Sequence, residues 1–369
     1  MSVRGPALLR EQNQKKLIHL LRKHKQTSRK DLAKLMGVSK NTISLIVDRF
    51  INEGVIKEVG IKDSHKAGRP KILIELNADV FKSLGITLSN ESIDYVVTDY
   101  CLNIIDKGSD KVDSRQVGEV VAYLTQLIQR TKQEHDGLIG VGIGIPGIVN
   151  TEEGIVYVST KLGWKDVPLH SMLTQSAMLP DSMSLIIQNS VKMTALCAAL
   201  TKEIHHNPSF FYIRIGEGIA GAFFQHGQIW DGVSWTSGEI GHLSVEPAGP
   251  PCSCGQIGCL EQMISIRSYS QWMSDREKIP TQVQIDTVQK QYGKYLGAAL
   301  ISVINIMNPG LIVIDSPYNS NTYFKQAVLD YLRANALEIP LSQTRIEFNE
   351  QPYIQSLGAA VAVIHHYEQ

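Results

Sequence analysis

Three cysteines and a histidine fall within eighteen residues near the middle of the chain: His242, Cys252, Cys254 and Cys259, with glycines and prolines between them. Thiolate and imidazole are donors that suit zinc, and three of one with one of the other complete a tetrahedral shell that leaves no position for water. Such a site is structural, so the Zn2+ expected here braces a loop and performs no chemistry. The spacing Cys252-x-Cys254-x4-Cys259 is tighter than that of a zinc finger, and Gly255 and Gly258 suit a backbone that folds back on one ion. Cys101 and Cys197 stand in apolar surroundings and read as small buried hydrophobes.

The elements that must position this loop belong to a long chain. At 369 residues and 43% apolar content, two or three domains with more than one packed core are expected. Met1 to Leu20 lacks the pattern of a signal peptide, because Gln12, Gln14, Lys15 and Lys16 interrupt any apolar run. The most apolar long stretch, Leu296 to Met307, is shorter than the roughly 20 residues a bilayer crossing needs. The reading is a soluble cytoplasmic protein without membrane insertion, in a compartment where clustered thiols bind metal more often than they oxidise.

A formal net charge of +0 conceals a segregation. Residues 1–76 hold 17 Lys+Arg against 7 Asp+Glu, which leaves 19 against 29 for the remainder. A basic head on an acidic body points to a nucleic-acid-binding module joined to a part with another task.

Within the head, Leu17, Ile18, Leu20 and Leu21 form one helical stripe over residues 11–23. Thr27 or Ser28 can cap a second helix through Met36, with Asp31 in its first turn, and Gly37 makes the next turn. Ser39 caps a third helix from Lys40 to about Asn52, with Ile43, Ile46, Val47 and Phe50 facing inward. Helix, glycine turn, helix is a helix-turn-helix, whose second helix lies in the major groove. Ser39, Lys40, Asn41, Thr42, Ser44 and Arg49 are then its DNA-contacting residues. Strands over 55–59 and 72–76 flank a loop that reads as the wing of a winged helix. Lys66, Arg69 and Lys71 are placed there to reach phosphates or a narrow minor groove.

From Phe81 onward β-branched runs alternate with helical patterns, the mark of an α/β body. Four blocks in it, Gly142 to Asn150, Gly163 to Leu169, Gly238 to His242 and Cys252 to Glu261, closely resemble the ROK family of bacterial repressors and sugar kinases. A winged helix ahead of them resembles the repressor branch, which includes the xylose and N-acetylglucosamine repressors. The resemblance implies two lobes of the sugar-kinase/actin-like (ribonuclease H-like) fold with a sugar held between them. The expected divisions are a head over 1–76, a first lobe over 77–188 completed by a C-terminal helix over 355–369, and a second lobe with the zinc loop over 189–354. Carried over residue by residue, the family's sugar ligands fall on Asn189, Glu239, His242 and Glu261. His242 would give one ring nitrogen to zinc and the other to the sugar.

The chain departs from the family's kinases at four places. Ser190 stands where they carry a catalytic Asp, and a serine without a base beside it is a poor proton acceptor. The nucleotide turns read Gly85 to Glu91 and Gly216-Glu217-Gly218, with carboxylates where phosphates should be cradled, and Asp315-Ser316-Pro317, where the family's kinases have a Gly-Gly turn toward the nucleoside. No catalytic residue and no ATP are therefore expected. The resemblance leads to a repressor of carbohydrate-utilisation genes that binds operator DNA as a homodimer, with pairing of dimers into tetramers left open. Its effector would be a small sugar; xylose is one candidate, and amino sugars, sugar phosphates and disaccharides stand beside it. A kinase with a DNA-binding head, and a repressor controlled by a protein partner, are the alternatives.

Overall fold

The serine and glycine punctuation of the head becomes helix ends in the computed structural model, which describes residues 6–62, 71–180, 182–201, 209–276, 278–350 and 354–368. Helix α1 (Pro6–His24) is followed by a short strand β1 (Gln26–Ser28), then α2 (Arg29–Met36) and α3 (Lys40–Asn52). The Ser28 hydroxyl caps α2 by accepting from the Asp31 amide, Gly37 closes it at φ 68°, and Ser39 caps α3 through the Thr42 amide. Strands β2 (Ile56–Lys62) and β3 (Lys71–Leu76) form the wing hairpin, and β1 adds to β3 as a third strand. Thr27, one of the two expected caps, lies in that strand opposite Ile74. Leu17, Leu32, Ile43, Val47 and Ile74 are fully buried between these elements.

The chain divides into two compact units. The first comprises Met1–Ile143, Leu169–Ile186 and Ala359–Gln369, so the head shares it with part of the body. Strands β4 (Lys82–Leu88), β5 (Ser92–Asp99) and β6 (Ile104–Lys111) form an antiparallel meander, followed by α4 (Val117–Glu134) and β7 (Leu138–Ile145). With β11 (Ser184–Asn189) they make a sheet in the order β11-β7-β4-β5-β6. Helix α5 (Leu169–Ala177) and the final helix α12 (Gln355–Tyr367) also contribute to this unit. Gly142 lies so close to α12 that a Cβ there would stand 2.1 Å from the Ala359 carbonyl oxygen, which explains a residue without a side chain in a buried strand. The core of the head runs on without a break through Tyr100 and Ile364, with Phe81 and Ile139 packed against it.

The second unit comprises Gly144–Pro168 and Ile187–Gly358. A small antiparallel sheet of β8 (Ile148–Asn150), β9 (Ile155–Ser159) and β10 (Trp164–Val167) precedes α6 (Ser190–Thr201). The main sheet contains β12 (Ser209–Ile215), β13 (Ile219–Gln225), β14 (Gln228–Ile229), β15 (Leu311–Asp315) and β16 (Arg345–Asn349), in the order β14-β13-β12-β15-β16. Between β14 and β15 lie α7 (Leu260–Ile264), α8 (Ile266–Ser274) and α9 (Gln282–Met307); α10 (Thr322–Asn335) and α11 (Glu338–Gln343) precede β16. Helix α9 begins at Gln282, where Thr281 and Gln284 form a capping box. Gly293 and Gly297 let α9 approach α10 closely, and Leu296, Leu300, Phe324 and Val328 fill the core beneath.

Candidate functional site

Helix α3 places the expected DNA contacts unequally. Lys40 and Asn41 are exposed at its start, and Ser44 is half-buried. Ser39 and Thr42 are used by the helix cap, with their hydroxyls 2.8 Å apart. Arg49 pairs with Glu53 at 2.7 Å, and Lys71 donates to both carboxylate oxygens of Asp31 at 2.9 and 3.0 Å. Asp31 sits below the usual carboxylate range, held there by the Ser28 hydroxyl first and by Lys71 second. Lys66 and Arg69 lie outside the described residues. The sequence reading did not foresee that Arg29 bonds Asp48 at 2.5 Å and Glu58 at 3.3 Å, which ties α2 to α3 and to the wing.

In the second unit the metal-ligand residues come together. The donor atoms of His242, Cys252, Cys254 and Cys259 all lie within 4.8 Å of one another. His242 Nδ1 is 3.5 Å from Cys252 Sγ, and Cys254 Sγ is 3.6 Å from Cys259 Sγ. Bonds of about 2.3 Å to sulfur and 2.0 Å to nitrogen give tetrahedral edges of about 3.5–3.8 Å, so these spacings suit one zinc-sized ion. Burial raises the Cys252 thiol, and hydrogen bonds from Cys254, His242 and Cys259 outweigh it, bringing the group down to about 6. Burial and the neighbouring thiols push Cys259 the opposite way, up to about 12, so the charge the cluster carries without a cation rests on Cys252. The loop closes through Cys252 N–H to Gln256 O at 2.8 Å and Gly258 N–H to Pro250 O at 2.9 Å. Gly258, at φ +66°, passes so close to the Glu246 carbonyl that no side chain fits there.

The segment bearing Glu239 and His242 is pressed against β13. Gly238 lies at φ +95°, its carbonyl accepts from Gly221 N–H at 2.7 Å, and a Cβ on Gly241 would meet the Ile219 carbonyl oxygen at 2.3 Å. The short 3-10 turn Ile240–His242 then brings His242 Nε2 to 3.9 Å from Glu239 Oε2. One ring nitrogen thus faces the cysteines and the other faces a carboxylate. Burial pushes the Glu239 carboxyl up; His242 offsets part of that shift and Glu261 adds to it. Glu261 accepts from Ile219 N–H at 2.8 Å, so it buttresses the turn at Gly216–Gly218.

Asn189 stands at the head of α6. Its Oδ1 accepts from the Val191 and Lys192 amides at 2.8 and 3.2 Å, and its Nδ2 donates to Gly147 O at 2.9 Å. A carboxamide has two lone pairs and two N–H groups, so one N–H is left for a ligand. Ser190 is buried and accepts from Gln355 Nε2 at 3.3 Å. Unforeseen from the sequence is Lys192, whose side chain is 3% exposed and donates to Asp231 at 2.7 Å and to the Trp235 carbonyl at 2.9 Å. At the end of β15, the buried Asp315 accepts from Arg214 at 2.8 Å and from the Tyr212 hydroxyl.

Comparison with known proteins decides the family. The model of the ROK family matches residues 84–348, nearly three-quarters of the chain. The chain belongs to the ROK family. Ahead of the ROK body, a winged helix-turn-helix DNA-binding model matches residues 10–57. Over 360 aligned residues the chain is 26% identical to the xylose repressor of Caldicellulosiruptor bescii, covering 88% of this chain and 87% of that one. A solved ROK family transcriptional regulator, a homologue of the Escherichia coli Mlc protein, superposes with a TM-score of 0.79 at 21% identity, covering 98% of this chain and 96% of that one. A solved ROK hexokinase from Thermus thermophilus superposes with a TM-score of 0.62 at 21% identity, covering 76% of this chain and 97% of that one. The kinase therefore shares the body of this ROK protein, and the regulator shares body and head. Among the described residues no helix is long and apolar enough to cross a membrane.

Proposed function

We propose that this ROK protein is a sugar-responsive transcriptional repressor of carbohydrate-utilisation genes. It acts in the cytoplasm and binds near-palindromic operator DNA as a homodimer. The observation that carries the reading is the presence, in one chain, of a capped helix-turn-helix and of a metal-ligand cluster whose histidine turns its second nitrogen toward Glu239. Two heads related by a two-fold axis read two half-sites. In functional terms the head is 1–76, the first lobe is 77–188 with 355–369, and the second lobe is 189–354.

Zinc on His242, Cys252, Cys254 and Cys259 braces the Gly238–His242 segment. Glu239 and His242 then offer a carboxylate and a fixed imidazole to sugar hydroxyls, with Glu261 and the remaining Asn189 N–H as the further ligands of this reading. Xylose is the first sugar to test, since the relative aligned above is a xylose repressor. The protein does not phosphorylate its sugar in this reading. Ser190, bonded to Gln355, offers no general base, and the last of the three turns opens with Asp315, whose buried carboxylate is held by Arg214 and Tyr212.

The test is operator binding by purified protein with and without a panel of sugars, with ATP turnover measured in parallel. A change in operator affinity with one sugar, without turnover, supports the proposal. Turnover of ATP with any sugar would favour a kinase carrying a DNA-binding head. Sugar-independent operator binding would favour control by a protein partner.

A further inference from the structure

Helix α3 exposes one apolar side chain where a polar one would be expected. Ile43 and Val47 are 0% exposed, Ile46 3% and Phe50 7%. At 100° per residue, the face opposite that buried stripe is occupied by Asn41, Leu45 and Asp48. Leu45, at the centre of this face, is 69% exposed, the highest value among the large apolar side chains described in the head. A single exposed leucine on an arbitrary surface means little. Here it lies on the helix that a helix-turn-helix inserts into the major groove, in a head with 17 basic residues against 7 acidic.

The neighbours narrow its role. Asp48 is engaged by Arg29 at 2.5 Å, so the next position on the outward face is compensated and fixed. Arg49 is directed to Glu53. Asn41, one helical turn before Leu45, is left as an exposed amide of the kind that pairs with adenine. Among groups on the major-groove edges of the bases, the thymine C5-methyl is the one that an alkyl side chain recognises.

We infer that Leu45 is a base-reading residue that packs against the C5-methyl of one thymine in each operator half-site, one helical turn from the base pair addressed by Asn41. The inference rests on the operator-binding reading above.

The experiment uses the full-length protein and an operator obtained by selection from random duplexes, with each thymine replaced singly by deoxyuridine, which lacks only the methyl. Wild type should lose about fourfold in affinity at one thymine per half-site, the value of one buried methyl group. Leu45→Ala should bind the thymine and uracil duplexes equally at that position, whereas Leu45→Met, which keeps an apolar tip, should still discriminate. If wild type tolerates uracil at every position of a selected operator, the inference fails and the operator reading stands. If selection yields no sequence preference, the operator reading fails and takes the inference with it.

Discussion

Removing the Glu368 carboxylate should destabilise the first unit more than any surface substitution. Glu368 Oε1 accepts from Arg22 Nη2 at 2.6 Å, and the side chains of the pair are 9% and 13% exposed. The same nitrogen of Arg22 donates to the Tyr100 carbonyl at 3.2 Å, its guanidinium lies 5.3 Å from the Tyr100 ring centre, and its Nε is buried without a partner. Burial pulls the Arg22 guanidinium down and Glu368 more than offsets it, so the cation depends on this carboxylate. Truncating one partner of a buried pair leaves the other charge uncompensated, at a cost of about 3–5 kcal/mol, whereas an apolar replacement of both is often close to neutral. Glu368→Ala should therefore lose about 3 kcal/mol or more, and the double variant Arg22→Met/Glu368→Leu should recover most of it. The four tryptophans, Trp164, Trp230, Trp235 and Trp272, all lie in the second unit and do not report on the pair. Amide hydrogen exchange of α1 and α12 is the suitable assay, with loss of protection in the single variant and its return in the double. A cost below about 1 kcal/mol for Glu368→Ala would place the pair in solvent and refute the argument.

Two further predictions concern other parts of the chain. Cys252→Ser should abolish stoichiometric zinc in elemental analysis of the purified protein and increase exchange across Gly238–His242, while exchange in α2 and α3 stays unchanged. Asp31→Asn should lower the urea midpoint of the head near neutral pH, because the folded-state group lies below its unfolded value of 3.8. That stabilisation is complete above the unfolded value and is lost as the pH falls through the lower folded value, so the two midpoints should converge in strong acid.

The head was legible because its punctuation is local: Ser28, Gly37 and Ser39 act within four residues of themselves, and their types announce their roles. The gathering of His242, Cys252, Cys254 and Cys259 was legible because the four stand within eighteen residues of chain and their types single them out. Strand β1 is three residues long, too short for any periodicity to show, and exists because β3 supplies its partners. The start of α9 at Gln282 is fixed by a local signal, the Thr281/Gln284 capping box, while Ile285, Val288 and Tyr292 turn one stripe of its first half toward the core. The engagement of Lys71 by Asp31 spans 40 residues and that of Arg22 by Glu368 spans 346, distances at which pattern gives no signal. Asn189 illustrates a different limit. Its residue type suits a sugar ligand and a helix cap equally, and only the amide positions of Val191 and Lys192 reveal the second use.

The central claim is that a sugar held by Glu239 and His242 alters operator affinity. Fluorescence anisotropy of a labelled selected operator, titrated with zinc-loaded protein in the presence of each of xylose, glucose, N-acetylglucosamine and their phosphates, tests it most directly. The account predicts that one of these changes the dissociation constant at least tenfold, about 1.4 kcal/mol of preference between two states, and that Glu239→Ala binds operator normally but no longer responds. A sugar that binds the protein in calorimetry yet leaves operator affinity unchanged would contradict it.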